Sequence, residues 1–110
     1  MGFRRAARTD ANQTEIVKYL RSIGALVVIT SQLKKFCDIV VSYKSRWYII
    51  EIKDGNKFPK KFKAMTPEKK LEYAITKLTP DELQFFKVCK EHDADYKIVW
   101  DIESVLKAIS

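Results

Sequence analysis

Between Asn12 and Ile23 the apolar residues Ile16, Val17, Leu20 and Ile23 fall at i, i+1, i+4 and i+7, one stripe of a helix. Gly24 stands where a C-cap is expected, and Asp10 or Asn12 could cap the start, so the spacing predicts a first helix over 12–23. The following run ALVVIT is short and β-branched, which predicts a strand, and the polar, basic SQLKK after it predicts a loop. Two further strand-like runs, 37–42 and 46–53, are separated only by Tyr43, Lys44 and Ser45, which predicts a hairpin. From Asp54 the composition shifts to Gly, Asn, Pro and Lys, with Phe58 and Phe62 as the large apolar residues, and an exposed basic loop is expected over 54–65.

Thr66-Pro67-Glu68 and Thr79-Pro80-Asp81-Glu82 both have the form of helix starts, with Thr as N-cap, Pro at the first helical position and acids in the first turn. Thr79 and Glu82 also form a capping box. Behind them Leu83, Phe85, Phe86, Val88 and Cys89 make an apolar arc that ends near His92; residues 96–100 then read as a strand and 102–109 as a short closing helix. The order is helix, strand, hairpin, one or two helices, strand, helix, which is an α/β layered domain. At 110 residues the chain fits one such domain.

Composition changes this picture in three respects. Hydrophobic residues make up 46% and charged residues 32%, ordinary for a globular chain. The longest apolar runs are too short to cross a bilayer and MGFRRAARTD has no apolar signal core, so a cytosolic location and no membrane partner are expected. A net charge of +7 favours a polyanionic partner without distinguishing DNA, RNA and acidic membrane. Cys37 and Cys89 match no zinc spacing and are expected to be free buried thiols, and His92, the single histidine, sits at a helix end where its charge suits the dipole.

The chemistry is concentrated in the hairpin. In RWYIIEIKD the period of two puts Tyr48, Ile50 and Ile52 on one face and Trp47, Ile49, Glu51 and Lys53 on the other. A strand apolar on both faces is a central one, so a carboxylate embedded in it needs a partner. In CDIVVS, Asp38 and Val40 share one face, and again a lone acid interrupts an apolar run. If Asp38 and Glu51 project to the same side they repel unless a proton or a cation sits between them, and a hard cation such as Mg²⁺ prefers oxygen ligands. Lys53, one pleat further, could hold an attacking water or stabilise charge on a phosphate. The competing account is an exposed Glu51–Lys53 ion pair on an edge strand with Asp38 near solvent; three such residues together on adjacent apolar strands favour a site.

The spacing Asp38-x₁₂-Glu51-x-Lys53 resembles the PD-(D/E)xK nuclease superfamily, with Cys37 where the superfamily's name has proline. More closely, RTDANQTEIVKYLRSIGA, CDIVVSYKSRWYIIEIKDG and KLTPDELQFF resemble the virus-type replication-repair nuclease (VRR-NUC) domain found in small phage proteins, over about residues 8 to 88. The resemblance implies an αβββαβ core with a mixed central sheet flanked by helices. It implies a Mg²⁺- or Mn²⁺-dependent DNA endonuclease, acting on branched, flapped or junction DNA in repair, often as a homodimer related to Holliday-junction resolvases. Carried onto this chain, Asp38 and Glu51 become metal ligands, the Ile52 carbonyl a further ligand, and Lys53 the residue beside the water. The family also places an acid on the first helix: Glu15 has the right chemistry, but lies about 200° round the helix from Gln13, which shares the apolar face. Both are kept as candidates, Gln13 in a supporting place.

Lys57, Lys60, Lys61 and Lys63 follow the catalytic strand directly and are expected to grip phosphates, with steeply salt-dependent binding. Arg4, Arg5 and Arg8, in a basic arm over 1–9, could add to this or belong to an unstructured terminus. Trp47 and Tyr43 could stack on an unpaired base, although Trp47 reads more readily as core. The alternatives are a non-catalytic nucleic-acid-binding module of the same fold and an RNA-directed nuclease.

Overall fold

A computed structural model describes residues 11–110. Helix α1 (Ala11–Ser22) is followed by β1 (Leu26–Ile29), β2 (Ile39–Tyr43) and β3 (Arg46–Ile52), then two short 3₁₀ turns (Gly55–Lys57 and Lys60–Ala64), α2 (Pro67–Thr76), α3 (Pro80–Glu91), β4 (Tyr96–Val99) and α4 (Ile102–Ala108). The strands form one mixed sheet in the order β1-β2-β3-β4, antiparallel for the first two pairs and parallel between β3 and β4. The α/β class and the element order agree with the sequence, and both Thr-Pro starts open a helix of their own. Among the described residues no helix is long and apolar enough to cross a membrane.

Local chemistry sets the boundaries. α1 ends in a Schellman motif, with Gly24 N–H donating to Arg21 O (3.1 Å) and Ala25 N–H to Leu20 O (3.0 Å), while Gly24 takes φ +94°. Of the two proposed caps for α1, Asp10 lies outside the described residues, and Asn12 lies inside the helix. The β2–β3 link is tighter than the three residues expected: Tyr43 pairs with Arg46, leaving Lys44 and Ser45 as a two-residue turn with φ +50° and +67°, the sign that matches strand twist. Thr79 closes the full capping box with Glu82 at the head of α3.

The period-two reading of β3 separates two apolar layers. Tyr48, Ile50 and Ile52 join Ile16, Val17 and Leu20 of α1, Val99 of β4 and Val105 of α4 on one side of the sheet. Ile49 packs on the other side with Tyr96, Ile98, Ala74 of α2 and Phe85, Phe86 and Cys89 of α3. This second layer covers β3 and β4 but not the β1 end, where Leu26 and Val28 are exposed. Trp47 is paired through Ser42 with Leu26 in that bare row and is 56% exposed, so it is not a core residue. Tyr43, by contrast, packs against the α1 layer.

The basic segment is also more ordered than a loop. Phe62 is buried, and its ring meets Phe58 at 4.8 Å, Trp100 at 5.5 Å and Tyr73 of α2 at 5.7 Å, which anchors the second 3₁₀ turn. Lys57, Lys60, Lys61 and Lys63 project from this anchored segment and are exposed.

Candidate metal centre

Asp38 stands one residue ahead of β2, yet its backbone belongs to the sheet. Its N–H donates to Ile50 O (3.1 Å) and its carbonyl accepts from Thr30 N–H (2.9 Å). The β2–β3 register ends at Ile39↔Ile50; at Asp38 the N–H turns to β3 and the carbonyl to β1, a bulge-like break that leaves Asp38 beside Glu51. The two side chains share the α3 side of the sheet, close enough for the charge of Asp38 to act on Glu51. One oxygen of Asp38, Oδ2, also accepts the Ile52 N–H at 2.7 Å, which fixes the carboxylate against the end of β3.

Glu51 is 5% exposed, in the interior strand that the apolar pattern predicted. Burial first, and then the neighbouring Asp38 charge, push its pKa up to about 10, so at neutral pH it holds a proton when no cation replaces it. Burial also raises Asp38, against the opposing Ile52 hydrogen bond. The buried Tyr96 hydroxyl on β4 lacks a hydrogen-bond partner and is shifted upward by burial and by the charges of Glu51 and Glu82. Cys37, beside the pair, is buried and free, and burial raises its thiol to about 11, which leaves it unreactive.

Lys53 does not neutralise this pair. Its Nζ lies 2.7 Å from Glu82 Oε1. Glu82 was legible in the sequence only as the capping-box acid of α3, and it is the site residue that sequence reasoning missed. No local signal pointed to it: a helix crossing over between parallel strands runs opposite to them, so the first turn of α3 returns to the C-terminal end of β3, where Lys53 stands, only once β3 and β4 are known to pair in parallel. Burial would raise the Glu82 carboxyl, but the hydrogen bonds from Lys53 and from Thr79 N–H outweigh it and hold the pKa low.

Could this pair hold a divalent cation? Asp38 and Glu51 bring hard oxygen donors to one place, and the Ile52 carbonyl could add a third by backbone alternation. Ile50 O and Ile52 N–H both face Asp38, so the carbonyl of Ile52 is directed along that same edge. Among the described residues no three His, Cys, Asp or Glu side chains are grouped to hold a metal, and Glu82 is engaged by Lys53. The donor set therefore amounts to two carboxylates and a carbonyl, which suits Mg²⁺ or Mn²⁺ completed by water and substrate oxygens.

The first-helix candidates separate. Gln13 is buried and its Nε2 donates to Ser31 Oγ at 3.4 Å, whereas Glu15 is exposed and lines, with Thr14, Lys18, Tyr19 and Ile102, a shallow hollow towards α4. Asn12 of α1 reaches the end of β3, its Nδ2 donating to Lys53 O (2.8 Å) and Trp100 O (3.2 Å). Arg4, Arg5 and Arg8 lie outside the described residues. Comparison of the chain with protein-family models, curated proteins and solved structures finds no significant match, so a functional reading stands on these residues.

Proposed function

We propose that this chain is a metal-dependent endonuclease of the PD-(D/E)xK class, of VRR-NUC type, that hydrolyses phosphodiester bonds in DNA. The observation that carries the reading is the pair of buried Glu51 and half-buried Asp38 at the end of adjacent strands, with an ammonium one pleat away that is bound to a different acid. A pair of this kind weakens the fold by desolvation and repulsion unless a proton or a cation sits between its members, and a divalent cation would take the place of the proton that Glu51 otherwise holds. The exposed lysines 57, 60, 61 and 63 follow β3 directly and supply a polyanion-binding surface beside it.

A bound Mg²⁺ or Mn²⁺ would supply Lewis acidity towards a phosphate oxygen and an acidified water. The protein's part is positional. Ile52 N–H fixes the rotamer of Asp38, the apolar strand keeps Glu51 out of bulk water, and Lys53, held by Glu82, keeps an ammonium at the end of β3 that would stabilise charge on a phosphate or hold a water. Branched or flapped DNA as substrate and a homodimer as the working form belong to the same proposal, on the resemblance.

The test is cleavage of labelled four-way, flapped and linear DNA, with matched RNA, by wild type and Glu51→Ala, in Mg²⁺ or Mn²⁺ and in chelator. Metal-dependent cutting lost in the variant is the expected result. Tight binding without cutting on every substrate would replace the proposal by a binding module, and cutting of RNA alone by an RNA-directed nuclease.

A further inference from the structure

Four titratable groups gather at the end of β3. Asp38 and Glu51 act on each other, the charge of Glu82 acts on both, and Glu82 is ion-paired with Lys53. The ammonium of Lys53 sits one pleat along from Glu51 and acts on Asp38, so electrostatics alone would draw it onto the Asp38–Glu51 pair and fill the place of a divalent ion. It does not go there. Glu82 is immobilised for this purpose: the same Oε1 that binds Lys53 at 2.7 Å accepts the Thr79 N–H at 2.8 Å, so the capping box fixes the carboxylate and the carboxylate fixes the lysine. The Lys53 and Glu82 side chains are 17% and 23% exposed, which limits competition from water for the bond.

We infer that Glu82 is a positioning residue that reserves the Asp38–Glu51 pair for a divalent cation, by holding Lys53 away from it. This rests on the metal-centre reading above and goes beyond it by assigning the selectivity of the centre to the head of α3. Glutamine serves in a capping box as glutamate does, so Glu82→Gln keeps the helix start and removes only the charge that restrains Lys53. Freed, Lys53 turns to the carboxylates and competes with the metal.

Mn²⁺ binding is measured by calorimetry on the intact chain, without nucleic acid, for wild type, Asp38→Asn, Glu82→Gln, Lys53→Met and Glu82→Gln/Lys53→Met, with circular dichroism to confirm folding. The expected result is binding in wild type that Asp38→Asn abolishes, an affinity weakened about tenfold or more in Glu82→Gln, as an opposite charge moved beside a carboxylate implies, and recovery in the double variant. Undiminished affinity in Glu82→Gln overturns the inference and leaves the metal centre intact. A loss that Lys53→Met fails to restore also overturns it, because Glu82 would then act as a ligand or as a structural cap. Absence of Mn²⁺ binding in wild type overturns the metal centre itself. Should Glu82→Gln fail to fold, Lys53→Met alone decides: affinity equal to or above wild type upholds the inference, and a loss of affinity overturns it.

Discussion

The Asn12 side chain on α1 donates to the carbonyl of Lys53, 2.8 Å away, and thereby ties the first helix to the last residue of the candidate site. Its second bond, to Trp100 O at 3.2 Å, joins the ends of β3 and β4. A single amide spans three elements at the place where the strands deliver their charged residues.

Asn12→Ala removes both bonds and leaves two carbonyls with one partner fewer. The expected cost is about 1–2 kcal/mol in urea unfolding, reduced slightly by the better helix propensity of alanine. Because the change loosens the end of β3, cleavage should fall by more than the stability loss explains, at temperatures where the variant is fully folded.

Glu51 should make the metal-free protein less stable as pH rises. Its folded pKa, about 10, lies above the ordinary carboxylate value of 4.5, so the folded state keeps a proton that the unfolded state has released, and unfolding is increasingly favoured between those two values. Glu51→Gln removes that slope. In chelator the variant should exceed wild type by more than about 1 kcal/mol at pH 8, with a smaller difference at pH 5; denaturant unfolding at the two pH values reads this directly. Glu82 has the opposite sign, its lowered pKa giving stability that is lost on acidification below the usual carboxylate range.

Replacing Lys57, Lys60, Lys61 and Lys63 together by serine should flatten the dependence of log affinity on log salt by about 0.9 for each duplex phosphate that is no longer neutralised, with thermal stability unchanged because all four are exposed. An unchanged slope would count against these lysines as the proposed nucleic-acid surface.

Phe62→Ala tests whether that surface is held in shape. The ring is 4% exposed among Phe58, Tyr73 and Trp100, so its loss should cost about 3 kcal/mol and raise amide exchange across the basic segment.

Trp47, being 56% exposed, should account for most acrylamide quenching of the tryptophan fluorescence, while Trp100, partly buried against Phe62, stays protected. Trp47→Phe should remove the quenchable component and change stability by no more than about 0.5 kcal/mol.

The elements that announced themselves in the sequence are those whose signals are local. Gly24 could end α1 because a left-handed residue is needed there, and Thr79 with Glu82 opened α3 because the cap bonds span only three residues. Alternation in β3 sorted Tyr48, Ile50 and Ile52 from Ile49 and Glu51, since side-chain direction in a strand follows from parity alone, and the brevity of the β2–β3 link put Asp38 and Glu51 on paired strands. What parity could not say is how far each face is covered. Trp47 and Ile49 point the same way, yet one is exposed and the other packed, because α2 and α3 shield β3 and β4 and leave the β1 end bare. Nor could a local rule choose the partner of Lys53: Glu82 lies 29 residues along the chain and reaches it only because the parallel crossover returns α3 to the end of β3. Spacing within an element is set by backbone geometry and is written in the sequence, whereas contact between elements depends on where the whole chain runs, which the tertiary structure alone decides.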